Sequence, residues 1–177
     1  MAALIGAAFL AACNRHTFTM HNENMKPTIQ PGDHITVDIF AYRFHSPSRW
    51  DVVAFHPIDD RNKNDVWVMR IVGLPGERIT YAPRIAGLSG GRITYVPRGN
   101  ILIDDKAPQQ PAQIRAVEYT LGYQTPFVDT HPGVLAHPLR VPADSYYVLG
   151  DNVEGAYDSR YWGALPRKNI VGKVLDK

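Results

Sequence analysis

The side chains that move protons or bind metals are dispersed along this chain. Its seven histidines and its carboxylates show no recognisable ligand spacing, so no metal site and no cofactor are expected. A single cysteine, Cys13, excludes an internal disulfide and any multi-cysteine metal centre. Two short runs concentrate reactive types. One is His21-Asn22-Glu23-Asn24, and the other extends from Gly150-Asp151-Asn152 to Asp158-Ser159-Arg160. Ser159 offers a hydroxyl, yet no base falls at a fitting position beside it. Arg70, Asp151, Asp158 and Arg160 read most simply as structural ion pairs that lock the fold.

The elements that must position these residues are short strands. The 177 residues suffice for one domain, or one domain with a small subdomain, and for a real core. Fourteen Gly and fourteen Pro favour many turns over long helices. Apolar or β-branched runs cover 34–39, 51–55, 66–72, 78–81, 92–96, 100–103 and 146–149. Turn signals such as Pro31-Gly32-Asp33 and Pro75-Gly76 separate them. The pattern predicts a mainly β fold, a folded-over antiparallel sheet or partial barrel. Arg78-Ile79-Thr80-Tyr81 recurs as Arg92-Ile93-Thr94-Tyr95, which reads as a duplicated strand adding one hairpin, with the stretch 87–91 as its turn. Residues 107–140 are rich in Pro, Gln, His and Thr and are expected to form a small inserted lobe.

The net charge of +2, carried by scattered basic residues, gives no ground for a nucleic-acid partner. Residues Ala2 to Ala12 form an apolar run that would span about 16 Å as a helix, short of the roughly 30 Å hydrocarbon core. Leu10-Ala11-Ala12-Cys13 resembles a bacterial lipobox, in which Cys13 would be lipidated. A membrane anchor is the alternative. Residues 1–16 are therefore a signal or anchor segment and 17–177 the β domain. Either route places that domain in the bacterial cell envelope, outside the cytoplasm and at a membrane.

Four segments, in order, resemble the type I signal peptidases. Asn24-Met25-Lys26-Pro27-Thr28-Ile29 lies where that family has Ser-Met-x-Pro-Thr-Leu. Arg49-Trp50-Asp51-Val52-Val53-Ala54-Phe55 is similar to its Arg-Gly-Asp-Ile-Val-Val-Phe. Met69-Arg70-Ile71-Val72-Gly73-Leu74-Pro75-Gly76-Glu77 resembles Lys-Arg-x-x-Gly-Leu-Pro-Gly-Asp. Gly150-Asp151-Asn152 through Asp158-Ser159-Arg160-Tyr161-Trp162-Gly163 matches the last motif.

The resemblance implies a Ser-Lys dyad: a hydroxyl nucleophile activated by a neutral, buried lysine. It implies a second hydroxyl orienting that lysine, and an oxyanion met by the nucleophile's own N–H and by a side chain two residues upstream. Mapped onto this chain, the nucleophile position is Asn24 and the base position Met69. The lysine-orienting position is Ala156 and the upstream oxyanion position Asn22. A carboxamide, a thioether and a methyl group cannot run that proton transfer. If Asn24 lies on a strand, its neighbours His21 and Glu23 point away from its side. The expectation is a membrane-tethered homologue that has lost proteolysis and binds a signal peptide or other extended peptide, with an active paralogue as a candidate partner. A working peptidase that removes signal peptides, and a purely structural envelope lipoprotein, are the alternatives.

Overall fold

The computed structural model describes residues 15–58, 65–82, 84–89, 92–96, 100–120 and 138–177. Cys13 and residues 121–137, half of the segment expected to form the inserted lobe, lie outside the described residues. The main sheet contains β1 (Arg15–Thr19), β2 (His34–Asp38), β3 (Val52–Phe55), β4 (Trp67–Gly73), β10 (Ser145–Leu149), β11 (Leu165–Pro166) and β12 (Ile170–Asp176). Its order is β1-β2-β12-β3-β4-β10-β11, with antiparallel neighbours throughout.

Alternation explains how the central strands are buried on both faces. Val53, Phe55, Met69 and Ile71 pack with Tyr146, Val148 and Leu165 on one face. Ala54 and Val68 pack with Met20, Met25, Ile29, Ile35 and Val37 on the other. Strand β4 is apolar except for Arg70, so its one charge must find a partner in the core.

A second sheet has the order β8-β5-β9, from Ile101–Ile103, Arg78–Tyr81 and Leu139–Arg140. It packs on Val72, Tyr147 and Leu149 of the first. Gly73 lies where the sheets meet: a Cβ there would fall 2.7 Å from Ile79 Cδ1 and 2.8 Å from Tyr147 Cβ. The duplicated segment behaves differently from the sequence reading. Its first copy is β5 of this second sheet, while the second copy, β7 (Arg92–Val96), pairs with β6 (Arg84–Ser89). Gly87, Leu88 and Ser89 are therefore strand residues rather than a turn. Cross-strand pairing holds them there despite their weak β preference.

Candidate functional site

The chain leaves β1 at Thr19 and does not continue as a strand. Met20 N–H donates to Asp33 O (2.9 Å) and Gly32 N–H to Met20 O (2.7 Å), which closes 20–33 into a loop. Within it Lys26 N–H donates to Glu23 O (3.1 Å) and Ile29 N–H to Met25 O (2.9 Å), so Asn24 opens a turn. The expectation of strand alternation around Asn24 is corrected here. The backbone bonds inside the loop replace ladder bonds, and buried Met25 and Ile29 pin the turn to the sheet.

Three of the four candidate positions meet at this turn. A Cβ on Gly150 would lie 2.3 Å from Ala156 Cβ and 2.4 Å from Asn24 O, so only glycine fits between them. Asn152 N–H donates to Asn24 O (2.9 Å), its Nδ2 to Glu23 O (3.1 Å), and Ala156 N–H to Asn152 O (2.9 Å). Asn22 completes the group. Its Oδ1 accepts the backbone N–H of Asn24 at 3.1 Å. The N–H that the family motif assigns to an oxyanion is thus occupied by the side chain two residues upstream.

Met69, the fourth position, is fully buried in β4 among Val53, Phe55, Ile71 and Val148, as its apolar character demands. It belongs to a different apolar cluster from Met25, on the other face of the sheet. Strand β10 links the two, since Val148 packs with Met69 and Gly150, two residues on, touches Asn24 and Ala156. Trp67, packed against Met69's cluster, also meets Tyr157, the neighbour of Ala156, with ring centroids 6.4 Å apart.

The four charged residues expected to lock the fold form two separate bidentate pairs. Arg70 Nε and Nη2 donate to Asp151 at 3.0 and 2.6 Å, and its Nη1 to Trp50 O at 3.0 Å. Thr28 and Tyr119 hydroxyls also donate to Asp151. Arg160 Nε and Nη2 donate to Asp158 at 2.8 Å each, and its Nη1 to Val153 O at 2.6 Å. Asp158 further accepts the N–H of Gly150 and caps α1 (Ser159–Trp162) through Arg160 N–H, while Ser159 Oγ accepts Val148 N–H. Ser159 is thereby a buried structural hydroxyl. Burial works against the charges on Arg70 and Arg160, yet bonding to Asp151 and Asp158 outweighs it and raises both guanidinium pKa values. Burial, then the Asp151 charge, pushes the Tyr119 phenol well above its ordinary range. Tyr119 and Trp67 escaped the sequence reading, which also gave Thr28 a motif position but no role, because nothing local marks a hydroxyl or ring that meets its partner only through the tertiary fold.

A groove of about 390 Å³ leads to the turn, lined by Phe18, Met20, Asn22, Val66, Trp67 and Val68 among others. Four successive antiparallel pairings separate β1 from β4, so the two strands run parallel. β1 runs onto the turn that carries Asn22 and Asn24, and Met69 lies within β4 as its third residue. Among the described residues, β1 pairs only with β2, and β10 joins β4 only from Arg70 onward. The groove is therefore flanked by strand edges with unpaired backbone groups. Among the described residues no cluster of three His, Cys, Asp or Glu is placed to hold a metal ion, and no helix is long and apolar enough to cross a membrane.

The family model described as "Signal peptidase, peptidase S26" matches residues 1–83 and 80–175. The chain belongs to this signal peptidase family. Signal peptidase I of Leptolyngbya laminosa is 31% identical over 181 residues, covering 97% of this chain and 74% of that protein. Signal peptidase IB of Staphylococcus aureus is 29% identical over 160 residues, covering 89% and 74%. A probable signal peptidase I-2 of Synechocystis is 29% identical over 157 residues, covering 87% of this chain but 58% of its own length. A crystal structure of a signal peptidase I from Enterococcus faecalis aligns with 73% of this chain and 97% of its own at 25% identity, with a TM-score of 0.45.

Proposed function

We propose that this signal peptidase relative is a membrane-associated receptor for signal peptides or similar extended segments, and that it does not cleave them. One observation carries the reading. The groove between two parallel strand edges reaches Asn22, whose Oδ1 already holds the Asn24 N–H, while Met69 at the base position is an apolar side chain sealed in the core. An extended peptide adds as a strand to these edges, and shallow pockets take small side chains at alternate positions, as in Ala-x-Ala. Asn24 supplies no hydroxyl and Met69 no base, so the arrangement binds without forming an acyl-enzyme.

Anchoring follows from the N-terminal segment, through lipidated Cys13 or an apolar span that includes Ala2 to Ala12. An active paralogue is a fitting partner, since a non-cleaving receptor acts by handing on or withholding its peptide. The competing reading is a working peptidase. The intact Arg70–Asp151 and Asp158–Arg160 pairs favour it, because they keep the frame of the family's third and last motifs.

The test is peptide binding measured on the full chain in detergent. A fluorescent Ala-x-Ala peptide should bind and be recovered intact by mass spectrometry. Val66→Arg, which sends a long cationic side chain into the groove from a half-buried position, should abolish binding without unfolding the chain. Equal binding by the variant contradicts the proposed groove.

A further inference from the structure

The loop after β2 holds two phenyl rings in water although it is firmly braced. Phe40 N–H donates to Asp38 Oδ1 (2.9 Å) and Arg43 N–H to Phe40 O (3.0 Å), closing a tight turn. Arg167 Nη2 donates to the carbonyls of Tyr42 (2.8 Å) and His45 (3.3 Å), while the Tyr42 phenol donates to Asp51 (3.0 Å). Phe44 is nevertheless 83% exposed and Phe40 39%. The Arg43 guanidinium lies over both rings, 5.5 and 5.7 Å from their centroids. Two braced apolar rings bridged by a cation form a patch rather than a stray exposed residue.

The location of the patch indicates what covers it. In the β1–β2 ladder Arg15 lies opposite Asp38, the residue from which the loop departs, and in the β12–β2 ladder Lys173 does. The loop therefore stands at the end of the sheet where β1 begins. Only Cys13 and Asn14 separate Arg15 from the apolar run Ala2–Ala12. Two extended residues reach about 7 Å. Arg15, Arg43, Arg167 and Lys173 outnumber the carboxylates Asp38, Asp51 and Asp144 beside them, so this end is net positive. Aromatic rings beside basic groups suit the layer between lipid headgroups and acyl chains, and the positive charge suits an anionic surface.

We propose that the loop 39–45 seats this end of the domain on an anionic bilayer, with Phe40 and Phe44 in the upper acyl layer and Arg43 on lipid phosphates. This rests on the membrane placement proposed above, and the experiment separates the two. The full chain is mixed with vesicles of phosphatidylcholine, with or without phosphatidylglycerol, and floated. A photoreactive benzoylphenylalanine replaces Phe44, or, as a control on the second sheet, Asp105. Lipid adducts from position 44 and none from 105 are expected. Arg43→Gln should weaken the dependence on phosphatidylglycerol by about fivefold, the contribution of one surface cation. A chain that floats but gives no lipid adduct at 44 overturns the docking loop and leaves the anchor standing. A chain that does not float removes the membrane placement and this proposal with it. An adduct at 44 to a second copy of the chain overturns the lipid assignment. Equal adduct yield with and without phosphatidylglycerol overturns the anionic preference.

Discussion

Two sets of residues meet at strand β10 and its following turn, and they differ in how their polar groups are satisfied. The frame is made of Arg70–Asp151 and Asp158–Arg160, charges that depend on each other across long sequence separations or through several carbonyls. Asn22, Asn24, Met69 and Ala156 are different. They are held by a local turn, by backbone bonds or by apolar packing, and none of these four side chains carries a charge. A frame charge cannot be lost singly without stranding its partner, whereas a position in the proton-transfer group can change with little structural cost. On the proposed reading this is how a family member keeps the form of a site without its chemistry.

The largest effect tests the frame. Asp158→Ala leaves the Arg160 guanidinium buried without its carboxylate and should cost about 3–5 kcal/mol in urea denaturation. A loss below about 1 kcal/mol would mean that the carbonyls around Arg160 suffice and that the contrast is overstated.

Restoring the family's lysine probes the other set. Met69 is fully buried, so Met69→Lys should hold a neutral amine in the native state. A depression of about four units, within the range of fully buried lysines, leaves the native amine neutral at pH 7 and costs about 4 kcal/mol there. The unfolded lysine binds a proton below about pH 10.4 and the folded one does not, so stability should recover as pH rises toward that value. A flat stability profile would place the amine in water instead.

The tyrosines packed near the frame respond in the opposite direction. Burial raises the Tyr147 pKa, as it does that of Tyr119. The native chain keeps these protons while the unfolded chain releases them above about pH 10. Stability should therefore be unaffected by these groups below that pH and fall above it by about 1.4 kcal/mol per pH unit per tyrosine. Alkaline titration followed by phenolate absorbance and circular dichroism checks this. The smallest change is Asn24→Ser, expected within about 0.5 kcal/mol of the parent because the half-buried side chain is not part of the frame.

The fold was legible wherever burial leaves a periodic mark. Strands β2, β4 and β10 read directly from Ile35/Val37 alternation and from continuous apolar runs. Edge and bulged strands were not. Exposed β1 alternates no apolar face, and β12 carries Gly172 and Lys173 at its centre. Trp50 shows a deeper limit. It occupies the family motif's glycine position at φ 74°, a left-handed conformation, and is held there by stacking on Tyr119 and by donating to Gln109 O (2.9 Å). Neither partner is visible from the local sequence. The candidate site was found through motif spacing alone. That spacing gave the positions but not the Asn22–Asn24 bond, nor the division of four charged residues into two pairs.

Turnover tests the central claim most directly. The purified full chain in detergent is incubated with an internally quenched Ala-x-Ala signal-peptide substrate beside a heat-killed control, and products are followed by mass spectrometry. The account predicts no cleavage above the control and recovery of intact substrate. Cleavage that persists through repurification and vanishes on a groove substitution such as Val66→Arg would show a working peptidase and contradict it.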